Sequence, residues 1–165
     1  MALEIERRFL IKNDNWKEFI TNRIFIEQGY LSKNLDDWII GIRFTGEDFK
    51  IALKKHIASF TNFEFEYSIP QKDGETIMSN LSNTIKKERF FLEVEKKFWI
   101  VDCFKEKNYP LEIAEIELSN EDEDLTIPSF ISKEITGLTQ YLNFNLANKP
   151  FSKWEEDYLT NFKSN

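Results

Sequence analysis

Alternating apolar and polar residues recur along the chain and predict a protein built mainly from β-strands. In residues 3–10, Leu3 and Ile5 share one face of an extended chain, whereas Glu4 and Glu6 share the other. Turn signals separate segments of this kind, which span residues 3–10, 24–32, 38–44, 49–56, 63–69, 85–93, 97–104 and 111–118. About eight strands are typical of small closed barrels. We therefore predict a mainly β (α+β) fold, an antiparallel closed barrel or tunnel with helices packed outside.

Short helices are predicted between and after these strands. Asn13 or Asp14 can cap a helix that continues to about residue 23, and Asp73 can cap a second helix. An acidic loop at residues 120–124 precedes predicted helices at residues 128–135 and 139–146. A capping box from Ser152 to Glu155 opens a last amphipathic helix carrying Trp154, Tyr158 and Leu159. Neither a linker nor a repeat interrupts the pattern, so we predict a single domain over residues 1–165.

Composition disfavours several classes of function. The net charge of −7 argues against a nucleic-acid partner, which needs a basic surface. The chain has no glycine-rich phosphate-binding motif, and its single Cys103 and single His56 exclude a disulfide framework and a multi-histidine metal site. We find no signal peptide, and the apolar runs are too short to span a membrane. We therefore expect a cytoplasmic protein with no membrane partner.

Charged residues occur at alternate positions on several predicted strands, so the members of a set that lie on one strand share one face of that strand. The sets are Glu4/Glu6 with Arg8, Glu64/Glu66, Lys87/Arg89, Glu115/Glu117, and Arg43 with Lys54 on the neighbouring strand. A single set is best explained as solvent-facing ion pairs, which contribute little to stability. Five sets favour an inverted barrel, in which apolar faces pack outward and charged side chains surround a wide, water-filled lumen.

A lumen with charges of both signs suits a polyanion that is bridged by divalent cations. Carboxylates are ligands of Mg²⁺ and Mn²⁺, whereas Lys and Arg side chains bind phosphoryl oxygens. Mixed charges would be costly in a dry interior without such a ligand. The pattern therefore predicts a small polyanionic substrate bound together with Mg²⁺ or Mn²⁺.

The charged sets lie within longer motifs that follow one another along nearly the whole chain. The first is Glu4-Ile5-Glu6-Arg7-Arg8, and the others are Gln28 to Leu31, Ile42-Arg43, the strand ending at Lys54, Glu64 to Tyr67, Lys87 to Phe90, Trp99 to Asp102, Leu111 to Leu118 and Ile135 to Ala147. In this order the motifs resemble the triphosphate tunnel metalloenzymes, also called the CYTH superfamily. The opening motif is similar to the family signature E-x-E-x-K.

The resemblance implies a metal-dependent triphosphatase of the small bacterial inorganic tripolyphosphatase type, acting on a triphosphate inside the tunnel. It implies metal ligation by the carboxylates Glu4, Glu6, Glu115, Glu117, Glu64 and Glu66. It implies phosphate binding by Arg8, Arg43, Lys54, Lys87 and Arg89, among which Lys54, Lys87 and Arg89 are the catalytic candidates. Asp102 aligns with an acidic residue of the family tunnel. The sequence leaves open whether the protein forms a homodimer.

Three positions depart from the family pattern and keep other functions open. Arg8 replaces a lysine, Gly41 stands where an arginine is common, and Ile100 stands where a carboxylate is usual. These changes could compensate one another, narrow the specificity or weaken the activity. The alternatives are a class IV adenylate cyclase or an organic (thiamine or nucleoside) triphosphatase, for which no base-binding pocket is recognisable in the sequence. A further alternative is a non-catalytic polyphosphate-binding module.

Overall fold

Nine antiparallel strands form one sheet in the computed structural model, which describes residues 3–154. They are β1 (Leu3–Ile11), β2 (Ile20–Tyr30), β3 (Ile39–Phe44), β4 (Phe49–Ala58), β5 (Thr61–Ile69), β6 (Thr84–Val94), β7 (Lys97–Phe104), β8 (Glu112–Glu117) and β9 (Ile131–Glu134). Their order is β5-β4-β3-β2-β6-β7-β8-β1-β9, and pairing of β5 with β1 closes β1 to β8 into a barrel. The predicted closed antiparallel barrel is confirmed.

The first strand closes the barrel because both of its edges are hydrogen-bonded. β8 lies along one edge and places Glu115 opposite Arg8. β5 and β9 share the other edge. The Glu6 amide donates to the Phe60 carbonyl at 3.2 Å, and the Ile135 amide donates to the Arg8 carbonyl at 2.8 Å. β1 therefore has partners along its whole length.

The strand register places charged residues of neighbouring strands side by side on the inner face of the barrel. Lys54 lies opposite Glu64 across β4 and β5, and Arg89 lies opposite Asp102 across β6 and β7. The alternate positions of the same strands carry mostly apolar residues on the outer face. The predicted inversion of the barrel is thus present in the structure.

The main hydrophobic core lies outside the barrel, on β1, β6, β7 and β8. Trp99 packs between Phe9 and Phe130, with ring centroids 5.7 and 6.5 Å apart. Trp16, from the 3₁₀-helix Asp14–Phe19, is completely buried in the same core. The layer that covers this wall therefore consists of a short 3₁₀-helix, β9 and the chain before it.

Helix α1 (Gln71–Ser79) covers another part of the outer wall, formed by β3 and β4. Gly74 lies directly on the ring of Phe49, where a Cβ atom would come within 2.1 Å of the ring carbon Cγ. Only glycine allows this close approach of helix to sheet. The expectation that helices pack outside the barrel is confirmed for α1.

The inner face becomes apolar toward one end of the barrel. Buried residues from four strands and from the C-terminal segment meet there: Leu10, Ile85, Phe104, Ile113, Tyr141, Leu146, Phe151 and Trp154. The segment contributes the 3₁₀-helices Thr139–Tyr141 and Phe151–Lys153 and the helix α2 (Asn143–Asn148). No helix in the described part of the chain has the length and apolar character needed to cross a membrane.

Two predicted helices give way to strands because a neighbouring strand offers hydrogen bonds. Residues 128–135 contain β9, since the edge of β1 beyond β5 needs a partner. Residues 20–23 belong to β2, so the first helix is only the 3₁₀ segment Asp14–Phe19. Its predicted cap is correct, because the Asn13 side chain accepts a hydrogen bond from the Asn15 amide at 3.0 Å.

The remaining helix predictions differ in detail. Helix α1 begins directly after Pro70 and has no side-chain cap, so the predicted cap by Asp73 is wrong. The predicted helix over residues 139–146 is divided between a 3₁₀-helix and α2 at Leu142. Ser152 lies in the last 3₁₀-helix. Glu155, Tyr158 and Leu159 of the predicted final helix lie outside the described residues.

The contact between Gly74 and Phe49 yields a test of the outer packing. We expect Gly74→Ala to lower the free energy of unfolding by about 1–3 kcal/mol, because the added methyl group overlaps the ring. Alanine favours helix formation over glycine, so propensity alone would increase the stability. Urea denaturation measures the difference, with Glu75→Ala at an exposed position of α1 as the control. A more stable Gly74→Ala variant would contradict the packing.

Candidate active site

The barrel encloses a cavity of about 1220 Å³ that is lined by charged residues of both signs. The predicted site residues that line it are Glu4, Glu6, Arg8, Arg43, Lys54, Glu64, Glu66, Arg89, Glu115 and Glu117. Lys87 and Asp102 are buried behind the cavity wall, with 1% and 0% of their surfaces exposed. The structure thus brings the predicted site residues together around one cavity.

Asp102 anchors a cluster of cations on β6 and β7. Its carboxylate accepts two hydrogen bonds of 2.8 Å from the Arg89 guanidinium and one of 2.5 Å from the Lys87 ammonium. Burial alone would raise the pKa of Asp102, but Arg89 and Lys87 outweigh burial and hold the pKa far below its usual range. Asp102 is therefore a permanent anion that fixes both cations in place.

Lys87 lies one layer deeper than the cavity surface. Its Nζ atom is 3.5 Å from Oδ1 of Asn143 and 5.4 Å from the ring centroid of Phe104. Burial lowers the pKa of Lys87 in spite of the neighbouring Asp102. Lys87 thus lies behind Arg89 and shares the Asp102 carboxylate with it, and its direct contact with a phosphate stays a prediction.

Arg8 connects the barrel wall with the C-terminal segment. Its Nε atom donates to Glu115 at 3.1 Å and lies 3.5 Å from a carboxylate oxygen of Glu6. Its Nη1 atom donates to the backbone carbonyl of Tyr141 at 3.0 Å. These contacts hold the guanidinium group in one orientation although the chain has arginine where the family signature has lysine.

Glu115 bridges two arginines at the centre of the site. One carboxylate oxygen accepts from Arg8, and the other lies 3.4 Å from Nη2 of Arg89. Burial and the neighbouring Asp102 would raise the pKa of Glu115, but the surrounding cations outweigh both and lower it. Glu115 therefore remains ionised and organises the two arginines around the cavity.

Glu4 and Glu6 have a different electrostatic environment, in which burial and neighbouring carboxyl groups outweigh the nearby cations. Burial and the neighbouring Glu115 raise the pKa of Glu6 to about 8. Burial and Glu64 raise the pKa of Glu4 to about 7, although the Lys54 ammonium contacts its carboxylate. A divalent cation would supply the missing positive charge and displace protons from these carboxyl groups.

Arg43 and Gln28 lie opposite each other on β3 and β2 and present polar atoms without partners. Arg43 contacts Glu66 through Nη2, but its Nε atom is buried and has no hydrogen-bond acceptor among residues 3–154. The side-chain oxygen of Gln28 is likewise buried and unpaired within the described chain. Because unpaired buried donors are costly, Arg43 Nε suits a phosphate oxygen.

The ring of Tyr30 lies close to the space that a side chain at position 41 would enter. A Cβ atom on Gly41 would lie 3.2 Å from the Gly29 carbonyl oxygen and 3.3 Å from two ring carbons of Tyr30, so a side chain there would require these neighbours to shift by a few tenths of an ångström. Tyr30 also packs edge-on against Phe144, with ring centroids 5.4 Å apart. The sequence analysis did not name Tyr30 or Gln28 as site residues, although both line the cavity. The sequence did carry a signal for them, because Gln28 and Tyr30 occupy alternate positions of one strand and therefore share its inward face.

The carboxylates are chemically suitable ligands for a divalent cation, but they do not form a complete coordination site by themselves. Within the described chain, no three Asp, Glu, His or Cys side chains form a group that could hold a metal ion. Mg²⁺ commonly uses only one or two carboxylates, and substrate phosphates and water complete its coordination. The six predicted carboxylates that line the cavity therefore offer suitable ligands for a cation that arrives together with a phosphate chain.

Comparison with known proteins identifies the family. No family model matches the chain. The chain is 31% identical to the inorganic triphosphatase of Acetivibrio thermocellus over 158 residues, which make up 94% of this chain and 100% of that protein. The chain belongs to the triphosphate tunnel metalloenzymes. This tunnel metalloenzyme carries its charged motifs on the inner face of the barrel, where the resemblance predicts them.

Solved structures share the fold of this tunnel metalloenzyme. The crystal structure of the inorganic triphosphatase NE1496 has a TM-score of 0.67 at 25% identity, covering 89% of this chain and 95% of that chain. HpAC1 from Hippeastrum, a candidate adenylyl cyclase described with a dominant triphosphatase activity, has a TM-score of 0.56 at 13% identity. That match covers 73% of this chain and 80% of the other, and it shows the fold alone.

The raised pKa of Glu6 makes the stability of the metal-free tunnel metalloenzyme depend on pH. Its carboxyl group binds a proton more tightly in the folded state, so its contribution to stability is lost as pH rises toward 8. We expect Glu6→Gln to exceed the parent in free energy of unfolding by on the order of 2 kcal/mol at pH 8, and by much less at pH 5. Urea denaturation with a chelator present measures both values.

The matched control for this test is Glu88→Gln, which changes a carboxylate on the outer face of β6. It should alter the stability similarly at both pH values, because Glu88 pairs with Arg23 and Lys105 outside the lumen. Equal effects of Glu6→Gln at pH 5 and pH 8 would show that Glu6 is not held in the protonated form.

Proposed function

We propose that the protein hydrolyses a phosphoanhydride bond of a triphosphate in a reaction that depends on a divalent cation, with inorganic tripolyphosphate as the preferred substrate. The observation that carries this proposal is the arrangement of fixed cations and carboxyl groups around one cavity. Arg8 and Arg89 are oriented by Glu115 and Asp102, whereas burial and neighbouring carboxyl groups raise the pKa values of Glu4 and Glu6. The 31% identity to an inorganic triphosphatase supports the same activity.

The phosphate chain is proposed to bind along the cationic wall of the lumen. The side chains that would contact phosphoryl oxygens are Arg8, Arg43, Lys54 and Arg89, with Lys87 acting beside Arg89. Arg43 supports this role because its buried Nε atom lacks an acceptor in the described chain. Most of these cations are already held by carboxylates, so little reorganisation accompanies substrate binding.

The carboxylates are proposed to hold Mg²⁺ or Mn²⁺. The ligands would be Glu4, Glu6, Glu115 and Glu117, with Glu64 and Glu66 at the same site or supporting it. When bound, such a cation neutralises phosphate charge and can orient a water molecule for attack. Glu115 already bridges Arg8 and Arg89, so its oxygens would be shared between the cation and these two arginines.

Catalysis is proposed to depend on positioning and on electrostatic stabilisation, which dominate phosphoryl transfer. Arg89 and Lys87 would stabilise charge on the transferring phosphoryl group. Lys54 would stabilise the leaving pyrophosphate. Burial lowers the pKa of Lys54, but the surrounding carboxylates Glu6 and Glu4 outweigh burial and raise it, so the side chain stays protonated.

Other functions on the same fold remain alternatives to be tested. They are the class IV adenylate cyclase, the organic triphosphatase and the non-catalytic polyphosphate-binding module. A cytoplasmic location and a homodimer also stay predictions. Release of phosphate and formation of cyclic AMP from tripolyphosphate, pyrophosphate and ATP would distinguish these activities.

The metal requirement is tested through the carboxylates. The parent should release phosphate from tripolyphosphate with Mg²⁺ or Mn²⁺ and lose this activity in excess chelator. Glu6→Gln should lower kcat/KM by about 100-fold or more, because it removes a charged ligand from the site. Glu88→Gln, on the outer face, is the control and should keep the parent value. Full activity of Glu6→Gln, or activity in chelator, would refute the proposal.

The proposed phosphate contact of Arg8 can be tested against its sequence neighbour. Arg8 faces the lumen, whereas Arg7 lies on the outer face and donates to Glu134 at 2.8 and 2.7 Å. Arg8→Ala should lower kcat/KM for tripolyphosphate by about 100-fold, the typical loss for one charge-stabilising donor. Arg7→Ala should change it less than twofold. Similar losses in both variants would indicate a general effect on β1 rather than loss of a phosphate contact.

A further inference from the structure

Three buried polar side-chain atoms have no hydrogen-bond partner among residues 3–154, and two of them belong to neighbouring residues of the lumen wall. These two are Oε1 of Gln28 and Nε of Arg43, whereas the third is Nε1 of Trp16 in the outer core. Gln28 lies directly opposite Arg43 across β2 and β3, and both residues line the cavity. One atom accepts hydrogen bonds and the other donates them, so a single small group that does both can satisfy the pair.

A water molecule is the smallest group of this kind. Directly opposite residues of an antiparallel pair have Cβ atoms about 4.5–5.5 Å apart, which keeps both polar side chains within reach of one bridging molecule. Gln28 has only 9% of its surface exposed, so its oxygen is shielded from bulk solvent. A water at this position accepts a hydrogen bond from Nε of Arg43, donates one to Oε1 of Gln28 and keeps its second proton for a further acceptor.

A bound phosphate would satisfy Arg43 but not Gln28. An ionised phosphoryl group offers only acceptor oxygens, so it can accept from Nε of Arg43 and has no proton to donate to Oε1 of Gln28. The cross-strand neighbour of Gln28 on β6 is the buried, apolar Ile85, which cannot donate either. The amide oxygen therefore still needs a donor when substrate is bound, and a water beside the phosphoryl group is the donor that meets this need.

We propose that Gln28 is a water-positioning residue, which holds the attacking water beside the phosphoryl group that Arg43 binds. The proposal rests on the proposed function for the reaction and for the phosphate contact of Arg43. An amide oxygen is a very weak base, so Gln28 orients the water through a hydrogen bond and does not remove its proton. Positioning of this kind suits phosphoryl transfer, because its loose transition state requires little covalent chemistry from the protein.

The step that Gln28 assists balances without a base. The water oxygen forms a bond to the terminal phosphorus, the bond from that phosphorus to the bridging oxygen breaks, and the electron pair of the broken bond leaves with pyrophosphate. Both protons of the water stay on the new phosphate. Fully ionised tripolyphosphate and water thus give dihydrogen phosphate and pyrophosphate, which exchange protons with solvent after release.

The test replaces the acceptor while keeping the shape of the side chain. Methionine is unbranched like glutamine and has no amide oxygen, so Gln28→Met removes the proposed contact with the water. We expect kcat for tripolyphosphate with Mg²⁺ to fall about 100-fold, as for a misplaced reacting group, whereas KM stays within about threefold. Calorimetric titration with methylene-bridged tripolyphosphate, which resists hydrolysis, should give the parent's affinity and so show that the variant is folded.

Two further variants separate positioning from a general effect on β2. Gln28→Glu keeps an acceptor oxygen at the same length, so its kcat should exceed that of Gln28→Met by about tenfold and should rise with pH as the introduced carboxyl group ionises. The matched control is Glu27→Gln, which changes the neighbouring residue on the outer face of the same strand. It should keep the parent values of kcat and KM.

Each contrary outcome identifies what has failed. An unchanged kcat in Gln28→Met, measured against an active parent, would overturn the role of Gln28 and leave the proposed hydrolase activity intact. A raised KM with an equal loss of affinity for the probe, at constant kcat, would show that the Gln28 amide binds phosphate, and it too would overturn water positioning. Absence of phosphate release by the parent would refute the proposed function and the role of Gln28 together.

Discussion

The buried carboxylate of Asp102 is the interaction on which the charged lumen depends. Two cations, Lys87 and Arg89, lie beside each other within hydrogen-bonding distance of this one group. A buried cation without a counter-ion costs several kcal/mol, and two like charges would in addition repel each other. Asp102 offsets both effects and still leaves the cluster with a net positive charge. A barrel wall can therefore present positive charge to a ligand without becoming unstable itself.

The strand β1 shows how closely fold and site are combined in this molecule. Its outward residues, such as Phe9, belong to the main core, whereas its inward residues Glu4, Glu6 and Arg8 belong to the site. The backbone of the same strand closes the barrel through β5 and β8. A shift of one residue in its register would move Glu4, Glu6 and Arg8 out of the lumen and Phe9 into it. The pairing that stabilises the fold thus also sets the geometry of the charges.

Much of this arrangement could be predicted from the sequence because strand periodicity has direct geometric meaning. Glu4 and Glu6 must share a face, so their convergence on the lumen followed once the barrel was assumed. Periodicity predicts which face of a strand a side chain occupies, but not how deeply the side chain is buried. For this reason it could not predict that Lys87 lies behind Arg89. It also could not find β9, which forms a strand because the edge of β1 beyond β5 would otherwise be unpaired. Asn143, which approaches Lys87 from outside the barrel strands, carries no periodic signal at all.

The bond from Arg8 to Tyr141 has a consequence for how this protein varies in evolution. The acceptor is a main-chain carbonyl, which every amino acid possesses. The bond itself therefore does not require tyrosine at position 141, whose buried ring is constrained by its packing at the apolar end of the barrel. Its part in orienting a charged group would leave no mark in a comparison of sequences. Insertions or deletions in this stretch, rather than substitutions, are the changes that would disturb the arginine.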